Sequence, residues 1–400
     1  MTNIYAALEI GTSRTVLAVG EAETGGRLKI SCHANIPSRG IRKSQIIDIA
    51  SASHSVKSVL KEVEKNQAEN GMSLTIGNAF LVVSGQHIKA DTYQGTAQIA
   101  RQKVSDQDIE EVQSAARGMT LPREREVLDI VEQTYTVDNY GGIISPKNKS
   151  GRILKLNALY IHGEADRIND ARTAMGEAHL ELRDPLFACT CAADAVLDDS
   201  QKRDGVMVLD LGAGSTGYAI YCDGVLAAAG AIGVGGDHIS NDIATAFQTI
   251  HSQADELKKR EACAIVGDYQ GVQSRIKISG LASSVELRTI SRHSLNTVVN
   301  ARCRELISII RDTLEELDLI HRLNAGVVFT GGGAALDGFA ELVSRELGTD
   351  VTIGKPKHVD GLEDVPNPEA YAAICGALMY AHRNYEEKSL FKTLFGGFGK

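Results

Sequence analysis

The chain has 400 residues, 43% of them hydrophobic and 23% charged, with a formal net charge of −9. That length exceeds one ordinary core and predicts two domains, while the acidic balance argues against a protein that coats nucleic acid. Seven cysteines without a CxxC pair predict reduced, buried thiols rather than a metal site, and no signal-type segment or membrane-length apolar run appears, which predicts a cytoplasmic protein.

The first apolar alternation, Ile4 to Ile36, predicts a three-stranded meander. Its first turn reads Leu8-Glu9-Ile10-Gly11-Thr12-Ser13 and runs into Val16-Leu17-Ala18-Val19. A helix is predicted over Ile47–Asn70 and a buried strand over Ala79–Val83. The texture then changes. Ser105 and Asp108 form a capping-box pattern opening a charged helix to Arg117, and strands over Val127–Val137 and Arg152–Ile161 flank a polar loop, Tyr140–Gly151. This block reads as a small α+β insertion. A helix over Asp166–Glu177 and a small-residue stretch, Ala188–Leu197, return to the first domain.

The second half repeats the opening pattern: Leu209-Asp210-Leu211-Gly212-Ala213-Gly214-Ser215-Thr216 runs into Tyr218-Ala219-Ile220-Tyr221. Helices over Asp237–Ile250 and Gln253–Cys263 and a strand over Val272–Ser279 follow. A long helix over Ser294–Ile320 carries Leu295, Val298, Val299, Leu306, Ile309, Ile310, Leu314 and Leu317 on its core face. Strand Ala325–Phe329, the turn Gly331-Gly332-Gly333, a helix over Leu336–Leu347 and a small-residue helix over Glu369–His382 complete the second half. The last residues place Leu390, Phe391, Leu394, Phe395 and Phe398 near Lys388 and Lys392, three of the chain's eight phenylalanines among them. Such a segment suits an interfacial membrane anchor; the alternative is a terminal helix docked on its own domain. Four large apolar residues gain roughly 4–8 kcal/mol before ordering costs, so lasting membrane binding implies linked tails and therefore self-association.

A Gly-rich turn between two strands points backbone N–H groups at an anion. An acid at the strand tip, here Glu9 and Asp210, can hold a water of a phosphate-bound Mg²⁺. Two such hairpins, one opening each half, and a GGG turn between strand and helix predict two related domains closing on one nucleotide.

With these motifs the chain resembles the actin-like ATPase superfamily and, within it, the bacterial FtsA family of cell-division proteins. The resemblance spans nearly the whole chain, through Pro37-Ser38-Arg39-Gly40, Val83-Ser84-Gly85-Gln86-His87-Ile88, Gly235-Gly236-Asp237-His238-Ile239, Ala254-Asp255-Glu256-Leu257-Lys258 and Val328–Gly333 as well as the first hairpin. It implies an α/β, actin-like, two-domain ribonuclease-H-like fold with an α+β subdomain inserted in the first domain. The implied divisions are subdomain 1A (1–83 and 162–203), the insertion 1C (84–161), 2A (204–233 and 325–367), 2B (234–324), a closing helix of 1A (368–386) and a membrane-targeting tail (387–400).

For ATP, the resemblance implies Gly11, Thr12 and Ser13 at the terminal phosphates, with Gly212, Gly214 and Ser215 opposite. Glu9 and Asp210 would flank Mg²⁺, Asp210 being the one candidate catalytic group. Asp255 and Lys258 would reach the ribose and base, Gly331, Gly332 and Gly333 would lie against adenine and the α-phosphate, and Gly235 and Gly236 belong to the same nucleotide-binding set. It further implies polymerisation, peripheral attachment to lipid on the cytoplasmic side of the inner membrane, and binding of the C-terminal tail of the tubulin-like protein FtsZ at Arg288, Arg302 and Glu305, within a basic concentration that includes Arg275, Lys277, Arg292 and Arg304.

The chain departs from the family pattern at Ala213 and at Gly217, where a carboxylate is usual, and Pro185-Leu186-Phe187 offers no group to orient water. Nucleotide hydrolysis is therefore expected to be weak or absent. A sugar kinase of the same fold and a pilus-assembly adaptor are the alternatives. The kinase would need a catalytic Asp near the cleft and has no use for an amphipathic tail.

Overall fold

The computed structural model of the chain describes residues 4–22, 27–71, 75–267, 270, 274–279 and 287–395, with side chains to residue 384 except at 279 and 287. The opening meander is β1 (Ile4–Ile10), β2 (Arg14–Ala22) and β3 (Leu28–Pro37), antiparallel throughout. A two-residue-loop hairpin, β4 (Ile41–Arg42) and β5 (Gln45–Ile46), leads to helix α1 (Ile49–Glu69). Asp48 caps α1 by accepting from the Ser51 N–H, and Ala52, Val56, Val59 and Val63 form its buried stripe. Strand β6 (Asn78–Val83) then lies parallel to β1.

The insertion comprises β7 (Lys89–Gln98), α2 (Asp106–Arg117), β8 (Arg125–Val137), β9 (Tyr140–Ile143) and β10 (Ile153–Glu164). It has its own sheet, ordered β7-β10-β8-β9, and its own core around Val112, Leu154, Leu156 and Tyr160. The Ser105–Asp108 capping box forms as expected. The segment predicted as a polar loop after Val137 instead begins with β9, because its backbone pairs with β8.

Helix α3 (Ala165–Glu177), β11 (Glu181–Phe187, parallel to β6), α4 (Ala188–Val196) and α5 (Asp199–Asp204) end the first half. The second meander is β12 (Val206–Leu211), β13 (Thr216–Cys222) and β14 (Val225–Ile232). Then come α6 (Gly236–Ala246), α7 (His251–Glu261), the ribbon β15 (Arg275–Ser279) and β16 (Leu287–Ser291), and α8 (Arg292–Glu316). Strand β17 (Val327–Thr330), α9 (Phe339–Leu347), β18 (Val351–Ile353), β19 (Val359–Asp360) and α10 (Ala372–Phe395) close the chain.

The two large sheets share one plan. In β11-β6-β1-β2-β3-β19 and in β18-β17-β12-β13-β14, two parallel strands flank the first strand of an antiparallel meander. The turns after β1 and β12 thus occupy equivalent places and face one another across the cleft. Helix α4 follows β11 of the first sheet and packs on β12 and β13 of the second, whereas α10, which follows β19, packs on β1, β2 and β6 of the first. The two helices cross through Cys191 and Gly376, where a Cβ on Gly376 would stand 1.7 Å from the Cys191 carbonyl oxygen.

Several predicted helix bounds shift for local reasons. The helix expected over Leu336–Leu347 starts only at Phe339, because Gly338 takes a left-handed conformation with φ of 69°. Gln248, also left-handed, lies between α6 and α7, so the first of these stops at Ala246 and not at Ile250. Leu317, expected in the core, is 40% exposed because it already sits at the cap of α8. The cysteines are all free thiols, six of them buried. Among the described residues no helix is long and apolar enough to cross a membrane. The tail side chains of Leu390, Phe391, Leu394, Phe395 and Phe398 lie outside the described residues.

Candidate nucleotide-binding site

A cavity of about 540 Å³ opens between the two sheets. Its base is formed by the turns after β1 and β12, which close in the same way. Gly11 N–H donates to the Arg14 carbonyl at 3.0 Å, and Gly212 N–H donates to the Ser215 carbonyl at 3.0 Å. The start of α6 rests on the second turn, with Gly236 N–H donating to the Gly212 carbonyl at 3.0 Å and Asp237 N–H to the Ala213 carbonyl at 2.8 Å.

Glu9 and Asp210 stand on corresponding strands at this base. Burial raises the Glu9 pKa, with the Arg14 charge opposing it. Burial first, and the Glu9 charge second, push Asp210 up to about 7, again against Arg14. Arg14 itself donates to the Ala370 carbonyl and lies 5.1 Å from the Tyr371 ring centre, so it is held to the 3-10 turn Pro368–Tyr371 just before α10. Two desolvated carboxylates that form no ion pair among the described residues suit a divalent cation. Mg²⁺ is commonly held by one or two carboxylates together with ligand phosphates. No group of three or more His, Cys, Asp or Glu that could hold a metal gathers among the described residues, so phosphate oxygens or water would have to complete such a shell.

At the other end, Lys258 Nζ donates to Asp255 at 2.8 Å, to Ser240 Oγ at 2.8 Å and to the Gly236 carbonyl at 2.9 Å. Lys259 also pairs with Asp255, at 2.6 Å. Burial works against ionisation of Asp255, but these two lysines outweigh it and bring its pKa down to about 2. Leu306, Leu336 and Phe339 add an apolar wall beside these groups, suited to a flat base. Gly331 has φ of 81°, and a Cβ there would lie 2.3 Å from Asp210 Oδ1, whereas Gly332 has nothing within 4 Å of its Cβ position. The triple-glycine turn therefore presses on the acid and leaves bare backbone toward the cavity.

Glu9, Gly11, Thr12, Ser13, Asp210, Gly212, Gly214, Ser215, Gly235, Gly236, Asp255, Lys258 and Gly331 to Gly333 all line this one cavity. Sequence reasoning missed Arg14, Ser44, Ser240 and Lys259. Arg14 was signalled only by its place directly after the first turn, and Lys259 by its place beside Lys258; Ser44 and Ser240 carried no local signal. Gly217 pairs across from Asp210, and a Cβ there would stand 2.7 Å from Cys189 Cβ. The missing carboxylate is matched by a close approach of α4, and the buried ring of Phe187 lines the cavity beside it.

The three residues singled out for a partner are already engaged. Arg302 lines the cavity, bonds Asp242 through two nitrogens at 2.6 and 2.9 Å, and pairs with Glu305. Arg288 donates to the carbonyls of Phe247 and Gln248 at 2.6 and 3.0 Å. With Arg292 on Glu261 and Arg304 on Glu346, much of the expected basic concentration is neutralised within the chain.

A family model described as cell division protein FtsA matches residues 207–376, and a model for the SHS2 domain inserted in FtsA matches residues 85–162. The cell division protein FtsA of Pseudomonas aeruginosa is 31% identical over 373 residues, which is 93% of this chain and 88% of that protein. Among solved structures, the PilM–PilN type IV pilus biogenesis complex superposes with a TM-score of 0.63 at 17% identity, covering 95% of this chain and 98% of the other. MreB5 of Spiroplasma citri bound to ADP superposes with a TM-score of 0.53 at 14% identity and covers 99% of both chains. These two likenesses speak for the fold alone, which is the actin-like α/β fold carrying an inserted SHS2 domain. The matches in sequence go further: the chain belongs to the FtsA family of cell-division proteins.

Proposed function

We propose that this chain binds ATP with Mg²⁺ in the cleft, hydrolyses it slowly or not at all, and acts as a nucleotide-controlled scaffold in cell division. The observation that carries the reading is the convergence of both phosphate turns, the triple-glycine turn, the Asp255–Lys258 pair and two desolvated acids on one cavity. ATP bound there would set the angle between two halves that α4 and α10 hold together. Glu9 and Asp210 would hold the metal, whose role is to neutralise phosphate charge, and Asp255 and Lys258 would orient the ribose. Phe187 and Gly217 supply no group that could orient water, so turnover is expected to stay far below about 1 s⁻¹, the low end of ordinary enzymes. Phosphate release from the purified full chain with Mg²⁺ and ATP tests this, and turnover at ordinary enzyme rates would overturn it.

The scaffold reading adds self-association, tethering of FtsZ filaments and peripheral attachment to the cytoplasmic face of the inner membrane through residues 387–400. Relatives named as cell division proteins support it, as does the pattern of Phe391, Leu394, Phe395 and Phe398. An FtsZ tail reaching Arg302 would exchange with Asp242, which would couple partner binding to the nucleotide wall. Liposome co-sedimentation of a Phe391→Glu, Phe395→Glu double variant is expected to fall by about tenfold or more, since two anchoring rings become charges. Unchanged sedimentation would eliminate the tail as anchor.

A further inference from the structure

The β4–β5 hairpin belongs to neither phosphate turn, yet its tip lies between them. Ser44 N–H donates to Thr12 Oγ1 at 2.8 Å, and the hydroxyls of Ser44 and Ser215 share a hydrogen bond at 3.0 Å. One residue thus bridges the first turn to the second. The gap it spans is narrow: a Cβ on Gly214 would stand 2.4 Å from Thr12 Oγ1 and 2.6 Å from the Ser44 nitrogen. A phosphate group cannot enter between the turns without parting these bonds.

The tip is also held in an unfavourable shape. Lys43 and Ser44 both lie in the left-handed region, with φ of 51° and 58°, where glycine or asparagine is the ordinary choice for a two-residue hairpin turn. The hairpin is fixed at its base, where Ile47 and Asp48 N–H groups both donate to the Gly40 carbonyl and Asp48 caps α1. It is therefore a strained finger on a rigid root, with a hydroxyl and an N–H aimed at the space between the two turns.

We propose that Ser44 is a terminal-phosphate sensor that lets the protein tell a nucleoside triphosphate from a diphosphate. The proposal rests on the nucleotide reading above. In the arrangement seen here Ser44 latches Thr12 to Ser215. A third phosphate takes the place of that latch, and the Ser44 hydroxyl passes from a neutral serine to an anionic oxygen. Charge-assisted hydrogen bonds are roughly twice as strong as neutral ones, so the exchange favours the triphosphate. A diphosphate, too short to reach between the turns, leaves the latch closed.

The test uses the full chain with Mg²⁺ and a fluorescent ADP analogue displaced by ADP or by a non-hydrolysable ATP analogue. Ser44→Gly removes the hydroxyl while easing the left-handed backbone, so folding is not at risk. It is expected to weaken the triphosphate on the order of fivefold and to leave the diphosphate within about twofold. Ser44→Ala should shift the ratio in the same direction, which assigns the effect to the hydroxyl and not to backbone freedom. A wild-type protein that binds both nucleotides, with variants that keep its triphosphate-to-diphosphate ratio, would refute the sensor and spare the nucleotide site. A wild-type protein that binds neither would defeat both.

Discussion

Replacing Gly376 by alanine is expected to cost about 2–3 kcal/mol of stability, even though alanine favours a helix over glycine by about 1 kcal/mol. The two effects have opposite signs, and geometry decides between them. The new Cβ would meet the Cys191 carbonyl oxygen at 1.7 Å and its carbonyl carbon at 2.3 Å. Both belong to backbone, so no side chain can swing aside; α4 and α10 must separate. Their separation would strip contacts from a core that holds Ala188, Cys189, Ala192 and Ala193 of one helix against Ala373, Ala377 and Ala381 of the other. It would also disturb the cleft, since Ala188 and Ala373 line the cavity. Gly376→Val should be worse than alanine. Gly176 supplies the control: it also sits in a helix, α3, but has nothing within 4 Å of its Cβ position. Gly176→Ala should therefore be neutral or stabilising by up to about 1 kcal/mol. Urea melts of the three variants measure this, and equal behaviour of Gly176→Ala and Gly376→Ala would remove the helix crossing as the cause.

That crossing was only half legible in the sequence. The small residues at Ala188–Leu197 and around Gly376 stood out in the chain, but not that α4 packs on the second sheet and α10 on the first. The phosphate turns were legible because their chemistry is local: strand, acid, glycine and hydroxyl are neighbours in the chain. Ser44 was not, because its role comes from a hairpin folding back between Thr12 and Ser215, 32 and 171 residues away. Strand β7 escaped for a different reason. Its sequence, Lys89–Gln98, is polar and mostly exposed, and only backbone pairing with β10 and the seat of Gly95 on α2 make it a strand. Arg302 read as surface charge, since a sequence shows the turn that joins it to Glu305 but not Asp242, which meets it from another helix.

The other large effect concerns Asp210, whose replacement by asparagine should move stability and metal-dependent binding in opposite directions. The folded protein holds the Asp210 proton up to about pH 7, whereas an unfolded aspartate releases it near pH 4. Between those values the native state binds more protons than the unfolded one, so this group's contribution is full below about pH 4 and is lost as pH rises through 7. Near pH 8 the unliganded wild type carries an ionised, desolvated acid beside Glu9. Asparagine lifts that penalty, and the unliganded variant should be more stable there by about 2–3 kcal/mol, discounted for the part of the carboxylate still open to the cavity. With Mg²⁺ and ATP the order reverses. Wild-type affinity should rise up to about tenfold per pH unit below 7, as the cation displaces a proton, and level off above it. The variant, left with Glu9 alone, should show a smaller rise and should bind more weakly near pH 8, on the order of tenfold, having lost a ligand charge. Thermal melts without metal and calorimetric titrations with it, both from about pH 6 to 8.5, read the two signs separately. If the unliganded variant melts below wild type near pH 8, Asp210 is an integral part of the folded core, and its placement as one of two acids awaiting a cation is wrong.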